Sequence, residues 1–210
     1  MLLACATAAA LEITPTDLPD RPLLVWVEAT DSGTVLRALP YQNNQLDTGS
    51  PLTVARHDGP LQPGPRITED IVLLHADEQR WWVDLPTGLA TPLPDGVTLR
   101  HSMRDQAVLQ APDGRVLTTP LTAAPELTDL GVHHGVLGDV WDQLLLVTGS
   151  TLLEHPAGRT HTLPFTATPG TIGWVPTDGS WVMVQLPDGG TMGIFTEHLS
   201  TAIELNYPPE

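Results

Sequence analysis

Two stretches, Gly114–Pro125 (GRVLTTPLTAAP) and Gly158–Pro169 (GRTHTLPFTATP), lie 44 residues apart and decide how the chain is read. Seven of their twelve positions are identical, and each stretch follows a proline two residues earlier, Pro112 and Pro156. Upstream, Asp105-Gln106 and Asp142-Gln143 each introduce an apolar run. The same unit therefore occurs twice: an apolar run, a Pro-x-Gly corner and a return run. Proline presets φ near −65° and glycine tolerates the positive φ of a tight turn, so such a corner between two apolar runs is hairpin chemistry.

Related corners stand at Pro86-Thr87-Gly88 and Pro187-Asp188-Gly189, with Thr30-Asp31-Ser32-Gly33 doing the same job earlier. Gly33–Pro40 and Gly88–Leu93 read as shorter versions of the return strand. Strand-like runs of four to seven residues recur between them, among them Leu23–Ala29, Ile71–His75, Trp81–Leu85, Ala107–Gln110, Leu144–Val147 and Trp181–Leu186. Helical periodicity is nearly absent, and Ala123–Leu130 and Thr196–Leu205 allow at most a short helical turn. The pattern predicts an all-β fold.

A strand-rich period of roughly 40 to 50 residues is the range of propeller blades. On these repeats the chain resembles β-propeller repeat proteins over residues 23 to 200. The resemblance implies about four to five units of antiparallel hairpins, with contacts made at a channel mouth or at loop tips. No WD dipeptide ends a unit, and no kelch double glycine stands in register. The uneven corner spacing leaves a β-sandwich or barrel as the alternative fold. Residues 23–210 are expected to form a single repeat domain preceded by a tether, residues 1–22. Segments 41–69 and 126–142 are the longest irregular stretches and the expected contact loops.

Charge narrows the function classes. The 210 residues carry 25 acids against nine basic residues, all arginine, for a net charge of −16. Nucleic-acid binding needs clustered cations to neutralise phosphates, and these arginines stand singly, so no nucleic-acid partner is expected. Peripheral binding to an anionic membrane is disfavoured on the same ground. The acidity favours solubility, or attraction for cations and a basic protein partner. The single cysteine rules out an intrachain disulfide. Cys5 follows Leu2-Leu3-Ala4, which resembles the lipobox of bacterial lipoproteins and implies lipid attachment at Cys5 as the only membrane link.

The chemistry-bearing residues are sparse. In a strand Trp81 and Trp82 face opposite sides, so Trp82 and Asp84, which share a face, are the candidate ligand-binding pair. Trp26, Trp141, Trp174 and Trp181 recur about once per unit and read as packing rings, with carbohydrate stacking as their functional alternative. His133-His134 sits between glycines, while His155 and His161 flank a corner that also brings Glu154 close. No HxxxH or HExxH spacing supplies a metal site, no cofactor is implied, and no catalytic residue is assigned. Glu69-Asp70 and Asp139/Asp142 are acid pairs of the type glycosidases use, although their separation is spatial. The expected function is a non-enzymatic binding or scaffold domain of the bacterial cell envelope. A carbohydrate-active hydrolase or a cytoplasmic assembly module are the alternatives.

Overall fold

Short apolar runs cut by Pro and Gly cannot sustain a helix, but they suit strands that satisfy their backbone groups across a hairpin. In the computed structural model, which describes residues 11–15, 23–42, 45–46, 49, 51–175 and 180–204, every regular element is a β-strand. The segments read as helical turns instead contribute strands, Thr128–Val132 and His198–Glu204.

The first sheet contains β1 (Glu12–Ile13), β2 (Leu23–Thr30), β3 (Gly33–Gln42), β4 (Gln45–Leu46) and β5 (Leu52–His57), in the order β1-β5-β3-β2 with β4 on β3. Its edge strand β1 falls inside the expected tether, so that part of the N-terminal segment belongs to the fold. The second sheet is a meander of β6 (Leu61–Arg66), β7 (Ile71–Ala76), β8 (Gln79–Asp84) and β9 (Leu89–Pro92). The third is a meander of β10 (Thr98–Ser102), β11 (Gln106–Gln110), β12 (Arg115–Pro120) and β13 (Thr128–Val132). Two more runs follow: β14 (Gly135–Val140), β15 (Gln143–His155) and β16 (Arg159–Ala167), then β17 (Thr171–Trp174), β18 (Trp181–Gln185), β19 (Thr191–Phe195) and β20 (His198–Glu204). Parallel pairing of β14 with β17 fuses these runs into one seven-stranded sheet.

That pairing depends on glycine. A Cβ on Gly135 would lie 2.2 Å from the Thr171 carbonyl oxygen, and one on Gly173 would lie 2.5 Å from the Leu137 Cα. Any other residue at either position would hold the two strands apart.

The aligned stretches occupy equivalent places. β12 and β16 are each the third strand of their run, and Gly114 and Gly158 open them at φ 87° and 72°. The Pro187–Gly189 corner likewise joins a second strand to a third. Pro86–Gly88 does not: it joins β8 to β9, third to fourth, while the equivalent corner of that sheet is Asp77-Glu78. β3 differs too: it lies second in from the β2 edge of its sheet, between β2 and β5. This misalignment accounts for the uneven corner spacing. A Pro-Gly corner marks a tight turn wherever one is needed, not a fixed place in the repeat. The expected contact loops are also largely strand, since 41–69 holds β5 and β6 and 126–142 holds β13 and β14.

The chain divides into two compact units, Met1–Val97 with Pro120–Glu126, and Thr98–Thr119 with Leu127–Glu210. The first unit packs Leu36, Ala38, Val54, Leu61, Leu74, Val83 and Leu85 between its sheets. In the second, Leu137, Leu145, Val147, Leu152, Val182, Val184 and Ile194 form the main core. Val108, Val116, Val136, Leu144 and Leu146 form another. Each fully buried aliphatic side chain contributes about 1.5–3 kcal/mol, so these clusters supply the main drive for folding.

Candidate functional site: an acidic pocket beside Trp81

The β7–β8 hairpin pairs Ala76 with Gln79, leaving Asp77-Glu78 as a two-residue turn with Asp77 at φ 53°. Aspartate is among the few non-glycine residues that adopt this conformation readily. The turn carries two carboxylates to one end of the first unit. His57, at the end of β5, is buried and its Nδ1 accepts the Gly59 N–H at 3.0 Å. Its Nε2 then carries the proton and lies 3.6 Å from Asp77 Oδ2. A Cβ on Gly59 would come within 2.4 Å of Asp77 Oδ1, so glycine there makes room for the carboxylate.

The third acid arrives from the connection after β9. Gln79 Nε2 donates to the carbonyls of Leu93, at 2.6 Å, and Arg80, at 2.9 Å. The Arg80 guanidinium donates to the Val97 carbonyl, and the Leu93 N–H to the Arg80 carbonyl at 2.9 Å. Residues 93–97 are thereby pinned, with Asp95 and Gly96 at the pocket. The resulting cavity measures about 530 Å³ and is lined by His57, Asp77, Glu78, Gln79, Trp81 and Asp95 among others. The Trp81 indole N–H is shielded from solvent and has no hydrogen-bond partner among the described residues. A buried donor left unpaired costs roughly 1–3 kcal/mol. Among the described residues, Glu78 and Asp95 have no ion-pair partner.

Trp82 and Asp84 share a face as the alternation requires, but that face is interior. Trp82 is 0% exposed and its indole N–H donates to the Thr122 carbonyl at 3.0 Å. Asp84 is buried, and its Oδ2 accepts the Thr87 N–H at 3.1 Å together with the Thr87 hydroxyl, locking the Pro86–Gly88 corner. Both side chains are thus engaged in holding the sheet. Of the two adjacent tryptophans, Trp81, near the start of β8, is the one that lines this cavity. Alternation alone pairs residues by face but does not say which face is open.

The remaining sequence candidates disperse. Cys5 lies outside the described residues. His133 bonds Thr148 Oγ1 and the Leu130 carbonyl, whereas His134 contacts the Ala167 carbonyl and the Gly149 N–H, so the adjacent rings serve separate backbone sites. Asp139 pairs with His101 at 2.5 Å, and Asp142 sits in the β14–β15 turn. Glu69-Asp70 lies in the β6–β7 turn. None of these acids lines the pocket. Among the described residues, no group of three or more His, Cys, Asp or Glu is placed to hold a metal. A second cavity in the first unit, about 330 Å³, has aliphatic walls of Val25, Leu36, Ala38, Val54, Val72 and Leu74. Among the described residues that line it, the one charged side chain, Arg66, is committed to the carbonyls of Thr68 and Glu69. That leaves nothing to orient a ligand there.

Glu154 does meet His161, at 2.5 Å, and also Arg159, at 2.5 Å, while its own side chain is buried. Burial acts to raise its pKa, but the hydrogen bonds from Arg159 and His161 outweigh it and hold the carboxyl below the ordinary glutamate value. The stabilisation is therefore complete above that ordinary value and is lost as pH falls through the lowered native one. Glu154→Gln is expected to destabilise the protein by about 1–2 kcal/mol at neutral pH. It should also flatten the acid limb of a plot of urea midpoint against pH.

No family model matches the sequence, and neither does any curated protein. Among solved structures, Hsv2 of Kluyveromyces lactis superposes with a TM-score of 0.54 at 10% identity, over 87% of this chain and 59% of that one. A second structure of Hsv2 gives 0.52 at 11% identity, over 93% and 70%. The fold is propeller-like. In a further Hsv2 comparison this chain spans about 60% of the Hsv2 length. The WD40 domain of Neurospora crassa Pan2 is similar at a TM-score of 0.46 and 12% identity, over 88% of this chain and 65% of that one. At these identities the likeness concerns the fold and not the ligand.

Proposed function

We propose that this chain is a non-enzymatic binding domain that captures a basic segment of a protein partner in the acidic pocket beside Trp81. The observation that carries the reading is a cavity edged by the carboxylates of Asp77, Glu78 and Asp95 with Trp81 in its wall. A guanidinium or ammonium group gains from carboxylates and from an aromatic face together. The net charge of −16 draws such a partner from a distance.

The test is a calorimetric titration with a short acetylated peptide containing two arginines, at low and at moderate salt. Binding should weaken as salt rises and fall by about tenfold or more in the double variant Glu78→Gln, Asp95→Asn, since each lost charge contact removes roughly 1 kcal/mol. Equal affinity in the double variant would refute the pocket as the site. The proposal includes attachment to the bacterial envelope through Cys5, motivated by the lipobox-like Leu2-Leu3-Ala4-Cys5. An acyl mass on Cys5 of the native protein supports the tether, and an unmodified Cys5 with Met1 retained removes it.

A further inference from the structure

The second unit carries a different kind of site. Val140 pairs with Gln143, so Trp141-Asp142 is a two-residue hairpin turn, and both residues have positive φ, 50° and 61°. A turn of this kind favours Asn-Gly, which adopts positive φ cheaply, whereas a bulky aromatic there is a genuine outlier. The strained tryptophan is not repaid by burial either, because Trp141 is 69% exposed. A strained backbone position is retained when function requires the side chain it presents.

Beside Trp141 is a cavity of about 400 Å³, also lined by Ser180, Trp181, Phe195, Thr196, Glu197 and His198. The rings of Trp181 and Phe195 lie 4.1 Å apart between centroids, inclined at 35°. Among the described residues, the side chains of Glu197 and His198 have no partner. The site therefore offers an exposed indole, an aromatic pair and, among the described residues, unspent hydrogen-bonding groups on Thr196, Glu197 and His198. One carboxylate is poor provision for a cation, in contrast to the three beside Trp81. The polar lining also does not suit a purely apolar ligand.

We propose that this cavity binds a carbohydrate, with a pyranose ring stacked on Trp141 and its hydroxyls bonded by Thr196, Glu197 and His198. A sugar ring combines an apolar C–H face with a rim of hydroxyls, and that is the chemistry assembled here. The site is independent of the pocket beside Trp81, and its failure would leave that reading untouched.

The test titrates the full chain with cellotetraose, chitotetraose and maltotetraose, following tryptophan fluorescence and calorimetric heat. At least one is expected to bind, and Trp141→Asn is expected to weaken that binding at least tenfold. Because asparagine suits the turn, the same variant should keep or raise the melting temperature, by about 2 °C or more. Glu197→Gln should weaken binding without altering the fold. No binding of any of the three sugars at millimolar concentration would overturn the proposal, as would wild-type affinity in Trp141→Asn. A lowered melting temperature in Trp141→Asn would show the ring to be structural and would also overturn it.

Discussion

Trp82→Ala is expected to destabilise the protein by about 3–5 kcal/mol, the range for truncating a fully buried aromatic. Trp82 is cross-strand from Leu73 on one side and Thr91 on the other, and no part of it reaches solvent. Three losses combine: the transfer free energy of the ring, the cavity it leaves, and the hydrogen bond to the Thr122 carbonyl. The last matters for topology, because Pro120–Glu126 belongs to the first unit although the strand before it belongs to the second. Trp82→Phe keeps most of the ring volume and loses the donor, so it should cost about 1–2 kcal/mol, chiefly for the unsatisfied carbonyl. Urea denaturation of the two variants separates the packing cost from the hydrogen bond.

Gly135→Ala is expected to cost about 3 kcal/mol, the upper end for overpacking, because its new methyl would strike backbone and not a yielding side chain. The clash at 2.2 Å is with the Thr171 carbonyl oxygen, which belongs to the parallel pairing between β14 and β17. The lost pairing should show as faster hydrogen exchange at Gly135, Val136 and Ile172, whereas the Thr171 N–H stays bonded to the Thr168 carbonyl. By contrast, a Cβ on Gly189 meets nothing within 4 Å, although its φ is 92°. Gly189→Ala should therefore cost only the backbone strain of a positive φ, about 1–2 kcal/mol. It should leave exchange in β14 and β17 unchanged.

The all-β fold was legible because local chemistry repeats. GRVLTTPLTAAP and GRTHTLPFTATP became equivalent third strands, each opened by a glycine at positive φ. What escaped was set by tertiary context. Leu61–Arg66 reads LQPGPR, with two prolines and a glycine, and looks like loop. It is nevertheless an edge strand, where a missing N–H is tolerated, and its register shifts between Pro63 and Arg66. Glu12–Ile13 is too short to announce itself and is a strand only because β5 pairs with it.

The candidate site was half legible. The paired tryptophans stood out in the sequence, but Asp77, Glu78 and Asp95 did not, because the pocket is assembled from three separate segments around His57, Asp77–Trp81 and Asp95. Their convergence follows from the stacking of strands, not from spacing. The choice between Trp81 and Trp82 turned on which face of β8 was open at its end, and a two-residue period cannot report that. Trp141 was read as one more packing ring because its strained turn is a property of the backbone.

The most direct measurement of the binding account is the set of six tryptophan indole N–H signals in a two-dimensional nitrogen–proton spectrum. The Trp81 signal would be assigned by its loss in Trp81→Phe, and the spectrum followed while the arginine peptide is added. The Trp81 indole signal should move the most, because its ring forms part of the pocket wall, with backbone shifts at Asp77, Glu78 and Asp95. A saturating titration in which the Trp81 signal stays in place while others move would contradict the assignment of the pocket.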